Sequence, residues 1–110
     1  MKKIFLIILI ALISSLSALA QESGGVKGRI RSMQGSILTD VKVTLNQDDK
    51  NIKTTNTDKR GEFQFNGLKA GKYSFTFTKS GFVQGTLNNV EIKKNKIRDL
   101  GDKLALDIDQ

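Results

Sequence analysis

The sequence predicts an all-β fold, a seven-stranded antiparallel β-sandwich preceded by a cleaved signal peptide, and three observations carry that prediction. Apolar and polar residues alternate with period two from Val26 onward, as strands with one buried face require. Turn residues recur at intervals of roughly 8–15 residues, the spacing of short strands in a sandwich. No segment beyond residue 20 places apolar residues at i, i+3, i+4 and i+7, so nothing there has the stripe of an amphipathic helix.

The amino terminus reads as an export signal. Lys2 and Lys3 precede an unbroken apolar run from Ile4 to Ile13, followed by Ser14, Ser15, Leu16, Ser17 and then Ala18-Leu19-Ala20. A basic start, a short apolar stretch and small residues before the cut define a secretory signal peptide, here residues 1–20 with cleavage after Ala20. The apolar run is about half the ~20 residues needed to span a bilayer, and no cysteine follows it to take a lipid. The mature chain is therefore expected to be exported, periplasmic or secreted, and not membrane-spanning. Gln21 to Gly25 is polar and glycine-containing, and reads as a flexible leader over 21–25. The sandwich domain is assigned to 26–110.

Each strand has its own pattern. Val26, Gly28 and Ile30 alternate with Lys27, Arg29 and Arg31, and Val41, Val43 and Leu45 alternate with Lys42, Thr44 and Asn46. A threonine-rich stretch from Ile52 to Thr57 leads into Asp58-Lys59-Arg60-Gly61, a turn in which the Asp58 carboxylate caps backbone amides and Gly61 supplies a positive φ. Phe63 and Phe65 leave that turn on one face. Tyr73, Phe75 and Phe77, alternating with Lys72, Ser74, Thr76 and Thr78, make the clearest strand. Val90 and Ile92 form another alternating pair, Lys93-Lys94-Asn95-Lys96 reads as a hairpin, and Leu104, Leu106 and Ile108 alternate at the end. With no proline available to block open sheet edges, outward lysines such as Lys42, Lys72 and Lys79 are expected to serve instead.

Composition excludes several chemistries. The chain has 110 residues with no histidine and no cysteine, so serine and cysteine triads and the common zinc sites have no residues to build them, and no cofactor or metal is expected. Ninety mature residues make one domain, and an exported domain of this size without disulfides points to a bacterial source. Removal of Lys2 and Lys3 leaves 16 cations against 11 acids, a mild net +5. The one local run, Lys93, Lys94, Lys96 and Arg98, reads as a solvated hairpin, because an electrostatic footprint needs clustering on one face; no nucleic-acid partner is expected. Asp58 with Glu62 is the nearest thing to a paired-carboxylate site, but one small sandwich leaves little chain for the walls of a cleft.

Taken in order, the turns resemble those of the carboxypeptidase-regulatory-like family, whose fold is a transthyretin (prealbumin)-like sandwich. Val26-Lys27-Gly28-Arg29-Ile30 is similar to the family's opening V-x-G-x-V, and Gln34-Gly35 with Val41-Lys42-Val43-Thr44-Leu45 resembles its second strand. Thr57-Asp58-Lys59-Arg60-Gly61-Glu62-Phe63 resembles T-D-x-x-G-x-F, the most specific piece. Leu68-Lys69-Ala70-Gly71-Lys72-Tyr73 is similar to L-x-P-G-x-Y with alanine for proline, and Ser80-Gly81-Phe82 resembles the G-Y/F that follows. Asp99-Leu100-Gly101 resembles the family's D-L-G, after which Leu104 and Leu106 fall late, so a bulge is expected near Gly101 and Asp102. The resemblance implies a domain that accompanies catalysts or receptor barrels and is not itself the catalyst.

The functional expectation is a non-catalytic accessory or binding module, a protein-interaction domain of the bacterial cell envelope whose partner no residue identifies. Its expected binding surface is the loop cluster of Asp58, Lys59, Arg60 and Phe82, with the basic hairpin second. One alternative is a carbohydrate-binding module, for which Phe82 is the only candidate for an exposed ring on which a glycan could stack. The other is an adhesin-type structural domain. The collagen-adhesin B relatives lock their sandwich with a Lys–Asn isopeptide bond catalysed by an acid, and Thr76 and Thr78 stand where that acid belongs.

Overall fold

The computed structural model describes residues 23–109, and the expected signal peptide lies outside them. The described chain is all strand and turn. Eight strands follow one another as β1 (Gly24–Ser32), β2 (Lys42–Gln47), β3 (Lys50–Asn56), β4 (Glu62–Leu68), β5 (Gly71–Thr78), β6 (Gly85–Ile92), β7 (Ile97–Asp99) and β8 (Leu104–Leu106). They form two sheets, one ordered β3-β2-β5-β6 and the other β4-β1-β7 with β8 also on β1.

The alternation places the core between the sheets. Val43 and Leu45, Tyr73, Phe75 and Phe77, and Val90 and Ile92 face inward from the first sheet, while Val26, Ile30, Phe63, Phe65, Leu68 and Leu106 meet them from the second. Phe75 and Phe77 stack at 6.2 Å with 6° between their planes, and Phe63 reaches across the gap to both, at 6.2 and 6.0 Å. Such rings supply much of a small core's apolar burial. Every buried apolar side chain described lies between Val26 and Leu106, within the two-sheet sandwich.

Several expectations change. The Lys93–Lys96 turn is not a hairpin, since β6 and β7 lie in different sheets, and the strand after it is not a single antiparallel element: β7 and β8 both run parallel to β1. Lys27 stands opposite Asp99 and Ile30 opposite Leu104, so two extra residues are accommodated at the expected irregularity. There Gly101 takes φ +75°, and its amide donates to Asp99 Oδ1 at 2.8 Å. That break divides one strand into two and makes the count eight.

The leader over 21–25 is shorter than expected, because β1 already begins at Gly24. Both glycines are buried for want of a side chain. A Cβ at Gly24 would collide with the Lys93 carbonyl, and one at Gly25 would lie 2.8 Å from the Phe65 carbonyl. Gly25 N–H donates to Lys96 O at 3.0 Å.

Ile108 does not continue the inward alternation. β8 stops at Leu106, and Ile108 is 45% exposed, in an isolated bridge to Phe82.

The strands define two ends. At the leading end, where β1 starts, lie the β2–β3, β4–β5 and β6–β7 turns. At the trailing end, where β1 finishes, lie the β1–β2, β3–β4 and β5–β6 connections and residues 107–109.

Candidate functional site

The trailing end is organised by the Thr57-Asp58 turn. Thr57 is buried, and its hydroxyl accepts from Val41 N–H at 2.9 Å and donates to Leu38 O at 2.8 Å, which ties the β1–β2 connection to the β3–β4 turn. Asp58 acts as the sequence predicts: its Oδ1 accepts from the amides of Arg60 at 2.8 Å and Glu62 at 3.0 Å. Those two amides, Glu62's foremost, hold its carboxyl below the ordinary value near 3.8, and the Arg60 and Arg29 guanidiniums add to the effect. Gly61 takes φ +75° and sits against the Ile30 carbonyl and Ile37, so a side chain there would strain the backbone and collide with both.

Lys59 and Arg60 are exposed at the tip of this turn. Phe82 stands at the same end but not in the same loop. The β1–β2 connection touches both loops, the Asp58 turn through Ile37 beside Gly61 and the β5–β6 connection through Thr39, whose carbonyl accepts from Lys79 Nζ at 2.7 Å. Phe82 is a correction in one respect: it is half-buried and packs against the core, so its ring is not a free platform.

The alternation did not reveal what surrounds these residues. Of the six large apolar side chains exposed among the described residues, Met33, Ile37, Val83 and Ile108 are all at the trailing end. Backbone pairing links the loops that carry them. Met33 N–H donates to Leu106 O, Val83 N–H donates to Asp107 O, Phe82 bridges Ile108, and Ile37 bridges Arg31. The available signal was position: Met33 and Ile37 flank a Gln34-Gly35 turn, and Val83 follows Gly81-Phe82, so apolar residues occupy loops where polar ones are usual.

Beside the Asp58 turn, a groove of about 570 Å³ crosses the outer face of the β4-β1-β7 sheet. Its charges are largely matched: Arg29 Nη2 pairs with Glu62 Oε1 at 2.7 Å, and nearby Arg31 reaches Asp102 at 3.7 Å. The Asp58–Glu62 pair is poorly suited to hydrolysis. A general acid needs a raised pKa, whereas Asp58 is lowered and Glu62 is engaged by Arg29. Among the described residues, no lysine, asparagine or acid is buried in the interior. The inward positions of β1 are Val26, Gly28 and Ile30, and the buried polar side chains among the described residues are Ser32 and Thr57.

The chain resembles known proteins in sequence and in fold. A 60-residue stretch, 53% of the chain, is 42% identical to serine-aspartate repeat-containing protein E of Staphylococcus aureus, of which it covers 5%. The same length is 42% identical to serine-aspartate repeat-containing protein D of that species, of which it covers 4%. The chain thus spans a small fraction of these relatives. Among solved structures, the Bacillus anthracis TIE protein superposes with a TM-score of 0.65 at 16% identity, over 79% of this chain and 17% of that one. GBS52, the minor pilin of Streptococcus agalactiae, superposes with 0.58 at 18% identity, over 82% and 46%. At those identities the likeness is one of fold. The profile of the carboxypeptidase regulatory-like domain matches residues 25–106, taking in every strand but the first residue of β1, and the chain belongs to that family.

Proposed function

We propose that this domain is a non-catalytic recognition module of the bacterial cell envelope that captures a partner protein through its trailing end. The observation that carries the reading is the exposure of Met33, Ile37, Val83 and Ile108 on hydrogen-bonded loops at the same end as the charged Asp58-Lys59-Arg60 turn. An apolar centre with a polar margin is the composition of protein-binding surfaces. The export-type amino terminus supports an envelope location, outside the cytoplasm. A structural adhesin-type role is the second reading, favoured by the likeness to the minor pilin. The glycan-binding reading has weaker support, since Phe63, Phe65, Tyr73, Phe75 and Phe77 are buried and Phe82 is half-buried.

The test is capture from the source cell's own envelope extract by residues 21–110, with Ile37→Asp and Val83→Asp as variants and a glycan array in parallel. Both substitutions fall on exposed side chains. Each is expected to weaken capture at least about tenfold, as for a residue near the centre of an interface. Undiminished capture by both variants would remove the trailing end as the binding surface. Glycan retention with no protein captured would establish the carbohydrate reading in its place.

A further inference from the structure

The domain's excess positive charge is concentrated at its leading end. Lys69 and Lys72 come from the β4–β5 turn and the start of β5, and Lys93, Lys94, Lys96 and Arg98 from the β6–β7 turn and β7. These groups are far apart in sequence, and strand pairing joins them: Gly24 lies opposite Leu68, Gly71 opposite Ile92, and Gly25 opposite Ile97. All six side chains are exposed, and neither ion pair of the described residues involves them. The described acids at this end are Glu91, across from Lys72, Asp48 and Asp49, beside Lys50 in the β2–β3 turn, and Asp99, next to Arg98 in β7. Among the described residues seven cations therefore stand with four carboxylates. The trailing end is closer to balance, with seven cations, the Glu62-paired Arg29 included, to six acids.

Two further features select among anionic partners. Ile97 is 55% exposed in the middle of the basic run, and an apolar side chain among lysines suits a lipid headgroup layer, where it enters the acyl boundary while the ammonium groups stay at the phosphates. No aromatic ring is exposed beside it among the described residues, so the stacking platform of a single-stranded nucleic-acid site is missing. Between the start of β1 and the β6–β7 turn lies a concavity of about 190 Å³, lined by Gly24, Gly25, Asn66, Gly67, Asn95 and Lys96 with Ser23 and Ile97 at its margin. That is below the ~300 Å³ typical of small-molecule pockets.

We propose that the leading end is a docking surface for an anionic phospholipid bilayer, with the lysines of the β4–β5 and β6–β7 turns held at the headgroup phosphates and Ile97 entering the interface. The domain then stands upright on the membrane with its trailing-end loops directed away from it.

The experiment is sedimentation of residues 21–110, which contain every buried apolar side chain described, with vesicles of phosphatidylglycerol and phosphatidylcholine against vesicles of phosphatidylcholine alone, circular dichroism first confirming that this segment folds. Lys93→Glu/Lys94→Glu is compared with Lys42→Glu/Lys103→Glu, which makes the same change in net charge at exposed trailing-end positions, and circular dichroism checks that both variants fold. Binding is expected to anionic vesicles only and to fall with added salt. Surface lysines contribute about fivefold each, so the leading-end variant should lose at least about thirtyfold and the trailing-end variant far less. Ile97→Asn should weaken vesicle binding while leaving retention on a heparin column unchanged. Equal losses in the two charge variants would overturn the proposal, as would retention by heparin or duplex DNA as tight as that by vesicles, or equal binding to neutral vesicles.

Discussion

At the leading end the chain closes on itself with bare backbone, whereas at the trailing end it closes with side-chain hydrogen bonds. Gly24 and Gly25 let the Lys93 and Phe65 carbonyls come in where a Cβ would collide, and the turns around them project lysines. Thr57 and Asp58 instead satisfy the amides of Val41, Arg60 and Glu62 and the carbonyl of Leu38, and the loops they fix leave apolar side chains exposed. One sandwich thus presents a basic end and an apolar end. The first depends on the absence of side chains, the second on specific polar ones, so the two should respond differently to mutation.

The largest effect should come from the trailing end. Thr57→Val keeps the shape but leaves the buried Val41 N–H and Leu38 C=O without their partner. An unsatisfied buried polar group costs about 1–3 kcal/mol, so a loss of about 2–4 kcal/mol is expected in denaturant unfolding, with Thr57→Ser retaining most of the stability. A loss below about 0.5 kcal/mol, the ordinary range of surface changes, would show that the hydroxyl is not what holds this end together.

Gly25→Ala probes the leading end, where even the sign is informative. In a flexible leader the change would be neutral or stabilising by about 0.4–1 kcal/mol, through reduced freedom of the unfolded chain. In a strand packed against the Phe65 carbonyl it should destabilise by about 1–3 kcal/mol. Thermal or denaturant unfolding of the two proteins decides between them.

That contrast also marks what was legible in the sequence. Alternation over Tyr73, Phe75 and Phe77 identified a core strand, because side-chain direction in a strand depends only on local spacing. The Asp58 cap was legible for a similar reason: its partners are two and four residues away. Gly24 and Gly25 were misread because their role is set by carbonyls of residues 65 and 93, which no local pattern displays. Ile108 looked inward only as long as the strand was assumed to continue past Leu106. The parallel pairing of β7 and β8 with β1 joins residues more than seventy positions apart, and the lysines of the leading end come together only through such pairings. Phe82 and its exposed neighbours were half legible: the loop was chosen from a motif, but which of its side chains faced solvent depended on the return of residues 107–109.

The smallest expected effect concerns charge at the trailing end. Asp58 is lowered below its ordinary value near 3.8 by the amides of Glu62 and Arg60, so its ionised form is favoured in the folded chain. A depressed carboxyl contributes stability that is fully present above the unfolded value and is lost as pH falls through the folded one. The wild type should therefore exceed Asp58→Asn in Tm at neutral pH, and the gap should begin to narrow as pH drops below about 3.8 and close only below the lower folded value, where the carboxyl is neutral in both states. A gap that stays constant from neutral pH to well below that point would mean that the turn needs only an acceptor oxygen and not its charge. The leading end would then be the one end of this domain whose behaviour depends on electrostatics.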